Sequence, residues 1–126
     1  MRKLGRWAGI GLTWVATAAA GDFTWTTNGD ALALAKYEGA ADRVAIPAEV
    51  EGRPVAAIGS GAFADRAGVK SVAIPDGVVR IEENAFAYCS DLVRVEFGAG
   101  VAEIGSWAFR GCRQLAEIAV AADSLD

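Results

Sequence analysis

Histidine is absent from this 126-residue chain, and cysteine occurs only twice. The usual general base and the commonest metal ligand are therefore missing. Two thiols with no histidine and no third thiol do not complete a structural metal site. Basic residues are the minority, 12 against 16 acidic, giving a formal charge of −4. A nucleic-acid partner requires a clustered basic face, so this balance argues against one. No Gly-Lys-Ser/Thr pattern is present to cradle a phosphate. Adjacent carboxylates such as Glu82-Glu83 face different directions and read as solvated corner charges rather than an acid–base pair. Without histidine or any nucleophile–base pair, nothing in the chain reads as an enzyme, and no cofactor or metal is implied. No uninterrupted apolar run reaches the ~20 residues of a membrane-crossing helix.

Apolar residues make up 53% of the chain, ample for one domain's core. The first twenty residues have the grammar of a secretory signal. Arg2, Lys3 and Arg6 give a positive start, Trp7 to Thr17 carries no charge, and Ala18-Ala19-Ala20 offers small residues before Gly21. Residues 1–20 are expected to be a cleaved signal peptide, with an uncleaved anchor or a plain flank as the alternatives. The mature chain would carry nine basic and sixteen acidic residues, which disfavours insertion into, or direct binding to, an anionic membrane.

Residues 21–42 lie outside any repeat. Phe23, Trp25 and Thr27 alternate before Asn28-Gly29, and Leu32 and Leu34 alternate after it. Asn-Gly between alternating runs predicts a β-hairpin with both turn residues at positive φ. At the start of a repeat array it would serve as a cap.

From Ile58 onward a 23-residue unit is written three times, over 58–80, 81–103 and 104–126. A partial copy over 43–57 precedes them: Arg43-Val-Ala-Ile-Pro47 matches Ser71-Val-Ala-Ile-Pro75, with extra turn-forming residues at Glu49–Pro54. Apolar residues fall in columns: Val69, Leu92, Leu115; Val72, Val95, Ile118; Ile74, Phe97, Val120; Ile58, Ile81, Ile104; Phe63, Phe86, Phe109. Spacing of two with β-branched residues around Val72–Ile74 predicts a strand. Gly59–Phe63 predicts a short helical or 3₁₀ turn. A unit this short cannot bury its own apolar face and must stack on copies of itself, with the strands parallel.

Ile81-EENAFAYCSDLVRVEFGAGVAE resembles the repeat of the BspA-like leucine-rich repeat family, with Gly98 where that family usually has Pro. Ile104-GSWAFRGCRQLAEIAV follows the same pattern, whereas Ile58-GSGAFADRAGVKSVAIP departs at Arg66 and Val69, where Cys and Leu are usual. The resemblance implies an α/β solenoid: a leucine-rich repeat stack with one curved parallel sheet and short helical turns. It further implies an exported or surface-displayed, non-enzymatic module that makes protein–protein or adhesive contacts. The alternative is a short or truncated structural fragment of a longer repeat protein, with no ligand of its own.

Cys89 and Cys112 share a column, which reads first as two packed, reduced thiols and second as a disulfide between neighbouring coils. The outward strand face is the candidate partner-binding surface, carrying Arg43, Ser71, Arg94 and Glu117 in one row and Glu96 in the next. Tyr88 and Trp107 are expected on the opposite, turn side. Ser124 stands where Val78 and Val101 stand, so the strand at Glu117–Val120 is expected to have a bare edge that invites self-association.

Overall fold

The computed structural model describes residues 20–120. The expected signal peptide, apart from its last residue, and the end of the third repeat, including Ser124, lie outside the described residues. A 3₁₀ turn over Ala20–Asp22 leads into ten strands.

β1 (Phe23–Asn28) and β2 (Ala31–Tyr37) form an antiparallel hairpin. Asn28 pairs with Ala31, so the two-residue turn is Gly29-Asp30, one position later than the Asn28-Gly29 dipeptide suggests. Gly29 has φ 69° and Asp30 does not enter the left-handed region. That is the demand of a turn needing positive φ at its first residue only, for which glycine is the natural choice.

Two parallel ladders follow. The long sheet stacks β3 (Arg43–Ala45), β6 (Ser71–Ala73), β8 (Arg94–Phe97) and β10 (Glu117–Val120) in that order. The second sheet continues the hairpin: β2 pairs in parallel with β5 (Arg53–Ile58), then β7 (Arg80–Ile81), then β9 (Glu103–Ile104). Leu34, Ile58, Ile81 and Ile104 are direct partners along it. The inserted residues form a hairpin of their own. β4 (Glu49–Val50) folds antiparallel onto β5 through Glu51-Gly52, with φ 52° and 82°.

The expectation of one strand per repeat with helical turns is corrected on two counts. Each full coil contributes a strand to both sheets, and the only helical piece among the described residues is the Ala20–Asp22 turn. The architecture is therefore an all-β solenoid, not α/β. The Ala-Phe segments are runs of tight turns closed by i→i+3 bonds, such as Ala62 N–H to Gly59 O at 3.1 Å and Arg66 N–H to Phe63 O at 3.2 Å. They do not propagate because two residues per coil are left-handed. Gly61, Asn84 and Trp107 hold one such column, with φ 68°, 59° and 58°. Asp65, Tyr88 and Gly111 hold the other, with φ 64°, 62° and 75°. The freed backbone groups bond from coil to coil instead: Phe63 N–H to Ala85 O and Phe86 N–H to Ala108 O, both 2.7 Å.

The two sheets and this wall of turns enclose one apolar core. Its axis is an aromatic stack. Tyr37 lies 5.2 Å from Phe63, Phe63 lies 4.9 Å from Phe86, and Phe86 lies 5.1 Å from Phe109, with the last two pairs within 12° of coplanar. Stacking neighbouring coils about 4.8 Å apart sets that ring spacing. Tyr37 thus puts the hairpin into the phenylalanine column, and its hydroxyl accepts a 3.0 Å hydrogen bond from Ala41 N–H. Close approach of coils also explains Gly98. A Cβ there would lie 2.5 Å from Pro75 C in the coil below. The side chain that usually fills this position has no room here.

Candidate functional site

The outer face of the long sheet assembles the expected contact residues. Parallel, in-register pairing places Arg43 beside Ser71, Ser71 beside Arg94, and Arg94 beside Glu117. Ala45, Ala73, Glu96 and Ala119 form the neighbouring row. Alternation along each strand leaves these side chains outside while Val44, Val72 and Val95 turn inward. All five candidates, Arg43, Ser71, Arg94, Glu96 and Glu117, are therefore brought onto one surface.

Charge on this face is organised around Arg94. Its guanidinium pairs with the Glu117 carboxylate on the next strand and lies 3.9 Å from Glu96 on its own. The hydrogen bond that Arg94 donates to the Glu117 carboxylate, reinforced by that group's charge, raises the Arg94 pKa. The pair is solvent-exposed and screened by water, so it orients the two side chains more than it stabilises the fold. Arg43, at the other end of the row, is exposed and faces Ser71 across the ladder.

The other chemistry-bearing residues lie elsewhere. Glu82 and Glu83 line a shallow groove on the second sheet, where Arg80 contacts Glu82 at 3.2 Å and Glu103 at 3.7 Å. Glu82 is thereby held as an ion-pair partner. Cys89 and Cys112 are free thiols. Cys89 donates to Phe63 O at 3.0 Å and Cys112 to Phe86 O at 3.1 Å, each reaching one coil back. Burial, with the neighbouring Cys112, pushes the Cys89 thiol up to about 12, and burial raises Cys112 too. Neither is poised as a nucleophile, which requires the thiolate. Among the described residues no group of three or more His, Cys, Asp or Glu side chains could hold a metal ion. No helix among them is long and apolar enough to cross a membrane.

A profile described as a BspA-type leucine-rich repeat region (six copies) matches residues 55–125, more than half of the chain. The chain belongs to the BspA-type leucine-rich repeat family. Repeat proteins of this family generally serve as interaction scaffolds rather than catalysts. No curated protein matches at a meaningful level. Among solved structures, this BspA-type chain is similar to a leucine-rich cell surface protein from Faecalibacterium prausnitzii. The two are 32% identical with a TM-score of 0.71, over 82% of this chain and 31% of that one. A leucine-rich repeat protein from Bacteroides ovatus is 27% identical, TM-score 0.72, over 80% and 28%. One from Bacteroides capillosus, 23% identical with TM-score 0.59, shares the fold over 82% of this chain and 97% of that one. The BspA-type chain thus spans less than a third of the length of the first two.

Two features escape a reading of the sequence. The second sheet is built from strands as short as Arg80–Ile81, which give no alternation to read; only the isoleucine column hints at it. The other is a cluster on the turn wall. Tyr88 and Trp107 do lie on that side, exposed, and Arg110 joins them, its guanidinium carbon 5.7 Å and 5.0 Å from the two ring centroids.

Proposed function

We propose that this chain is an exported, non-catalytic module that makes protein–protein or cell-surface contacts through the outer face of its long sheet. The observation that carries the reading is the in-register row Arg43, Ser71, Arg94, Glu117. It is a solvent-facing array of hydrogen-bonding and charged groups held in register by the parallel backbone ladder. Rigid placement lowers the entropy lost on binding, which is how a small face acquires affinity. The signal-like residues 1–20 and the similarity to a cell surface protein support export. Secreted material is expected to begin at Gly21 by mass analysis. That material should bind an extracellular protein saturably, and the double variant Arg94→Ala/Glu117→Ala should weaken binding about tenfold with the fold unchanged. A cytoplasmic product retaining Met1, or binding indifferent to the double variant, rejects the reading.

The second reading, a structural segment of a longer repeat protein with no ligand of its own, is favoured by the short span relative to the F. prausnitzii and B. ovatus proteins. Absence of any saturable partner would select it.

A further inference from the structure

The geometry points to a second contact site, on the turn wall, for an acidic peptide segment: Tyr88, Trp107 and Arg110 together form a receptor for a carboxylate flanked by an apolar side chain. Tyr88 and Trp107 are 48% and 60% exposed. Both also occupy left-handed backbone, φ 62° and 58°, where bulky L-residues are disfavoured. The same columns hold Asp65 and Gly111, and Gly61 and Asn84, residue types that accept this conformation readily. Two aromatics are thus held outside the core, in the backbone positions least suited to them. Strain of this kind concentrates at binding sites.

The surroundings complete the site. Tyr88 sits directly over Gly111 of the next coil, where a Cβ would lie 2.4 Å from the tyrosine ring. The absent side chain therefore makes the shelf on which the ring rests. Arg110 lies beside both rings and, among the described residues, makes no ion pair. The run from Ile104 to Ala116 contains Arg110 and Arg113 and no acid, in a chain whose net charge is −4. A guanidinium stacked on aromatic faces keeps its N–H edge directed outward, and that fork matches a carboxylate bidentately. The ring edges beside it offer apolar contact to the neighbouring side chain. Tyr, Trp and Arg are also the residues most enriched at binding hot spots. Because the guanidinium already occupies ring faces, little is left for stacking a sugar, which favours a peptide over an acidic polysaccharide.

Isothermal titration of the full chain with an eight-residue peptide alternating Glu and Leu tests this, with its Gln counterpart and sodium polygalacturonate as comparison ligands. Saturable binding of the Glu peptide is expected, at least tenfold tighter than either comparison. Arg110→Gln should weaken it at least tenfold. Trp107→Gly should weaken it severalfold while the Tm stays level or rises, because glycine suits the left-handed position. No saturable binding, equal binding of the Gln peptide, preference for polygalacturonate, or full binding by either variant overturns the proposal.

Discussion

The two ends of the stack carry the same residues in different circumstances. In the isoleucine column Ile58 and Ile81 are fully buried, whereas Ile104 is 49% exposed. In the valine column Val72 and Val95 are buried and Ile118 is 48% exposed. At the first end the hairpin closes the core: Leu34 and Tyr37 are fully buried, and the Phe23 ring packs 5.4 Å from Tyr37. At the last end Phe109 has a ring neighbour on its coil side in Phe86, and Val120 is half exposed. Burial here is not a property of the residue or of its place in the repeat. It is set by whether another layer lies on top, as nearest-neighbour stacking requires.

The largest expected effect follows from the aromatic axis. Phe86→Ala removes a ring stacked on both faces and should destabilise by about 3–5 kcal/mol in denaturant titration. Phe109→Ala should cost about half that or less, since among the described residues its coil is covered on one side only. Equal losses would mean that the two rings are equally covered. A domain of this size has roughly 5–15 kcal/mol in hand, so the Phe86 variant approaches unfolding.

The cysteine column should repeat the contrast under alkaline conditions. The folded Cys89 thiol titrates near 12, above its ordinary value of 9.0. The unfolded chain therefore releases that proton first, and stability is full below about pH 9. It should fall through pH 9–12 by on the order of 1 kcal/mol per pH unit from this group. Cys89→Ala should flatten the slope at the expense of a small cavity. Cys112→Ala, at a less buried thiol, should flatten it less. Identical slopes in urea titrations of the two variants would contradict the burial difference.

The smallest effect concerns the last strand. β10 pairs with β8 and, among the described residues, with no strand beyond it. Amides of Glu117–Val120 should exchange faster than those of Arg94–Phe97, and the isolated chain should associate weakly as concentration rises in light scattering. Equal protection in a strict monomer would mean the edge is covered.

Much of the stack is legible in the sequence because stacking repeats a chemical demand at fixed intervals. Phe63, Phe86 and Phe109 sit 23 apart because one ring must lie on the next, and Val72–Ile74 alternates because the strand has two faces. The second sheet is not legible, because two-residue strands such as Glu103–Ile104 are defined by pairing rather than by pattern. The helical expectation fails for a similar reason. Ala and Phe suit a helix locally, and the left-handed columns that stop it are marked only where they hold Gly, Asn or Asp. Trp107 and Tyr88 conceal them. The outward row of the long sheet follows from alternation, but the Tyr88–Arg110–Trp107 cluster depends on contact between two coils, which spacing along one chain does not display.

The coil-to-coil hydrogen bonds of the turn wall run along the stack, from Gly61 N–H to Glu83 O, from Asp65 N–H to Ala87 O and from Asn84 N–H to Ser106 O. That direction fixes how the molecule yields to tension. A pull that lifts the last coil away loads these bonds and those of both sheets a few at a time, like a zipper, rather than together in shear. Each coil that leaves exposes the next to the same pull. Rupture should travel from the last described coil toward the aromatic hairpin in steps of one 23-residue repeat, the hairpin letting go last.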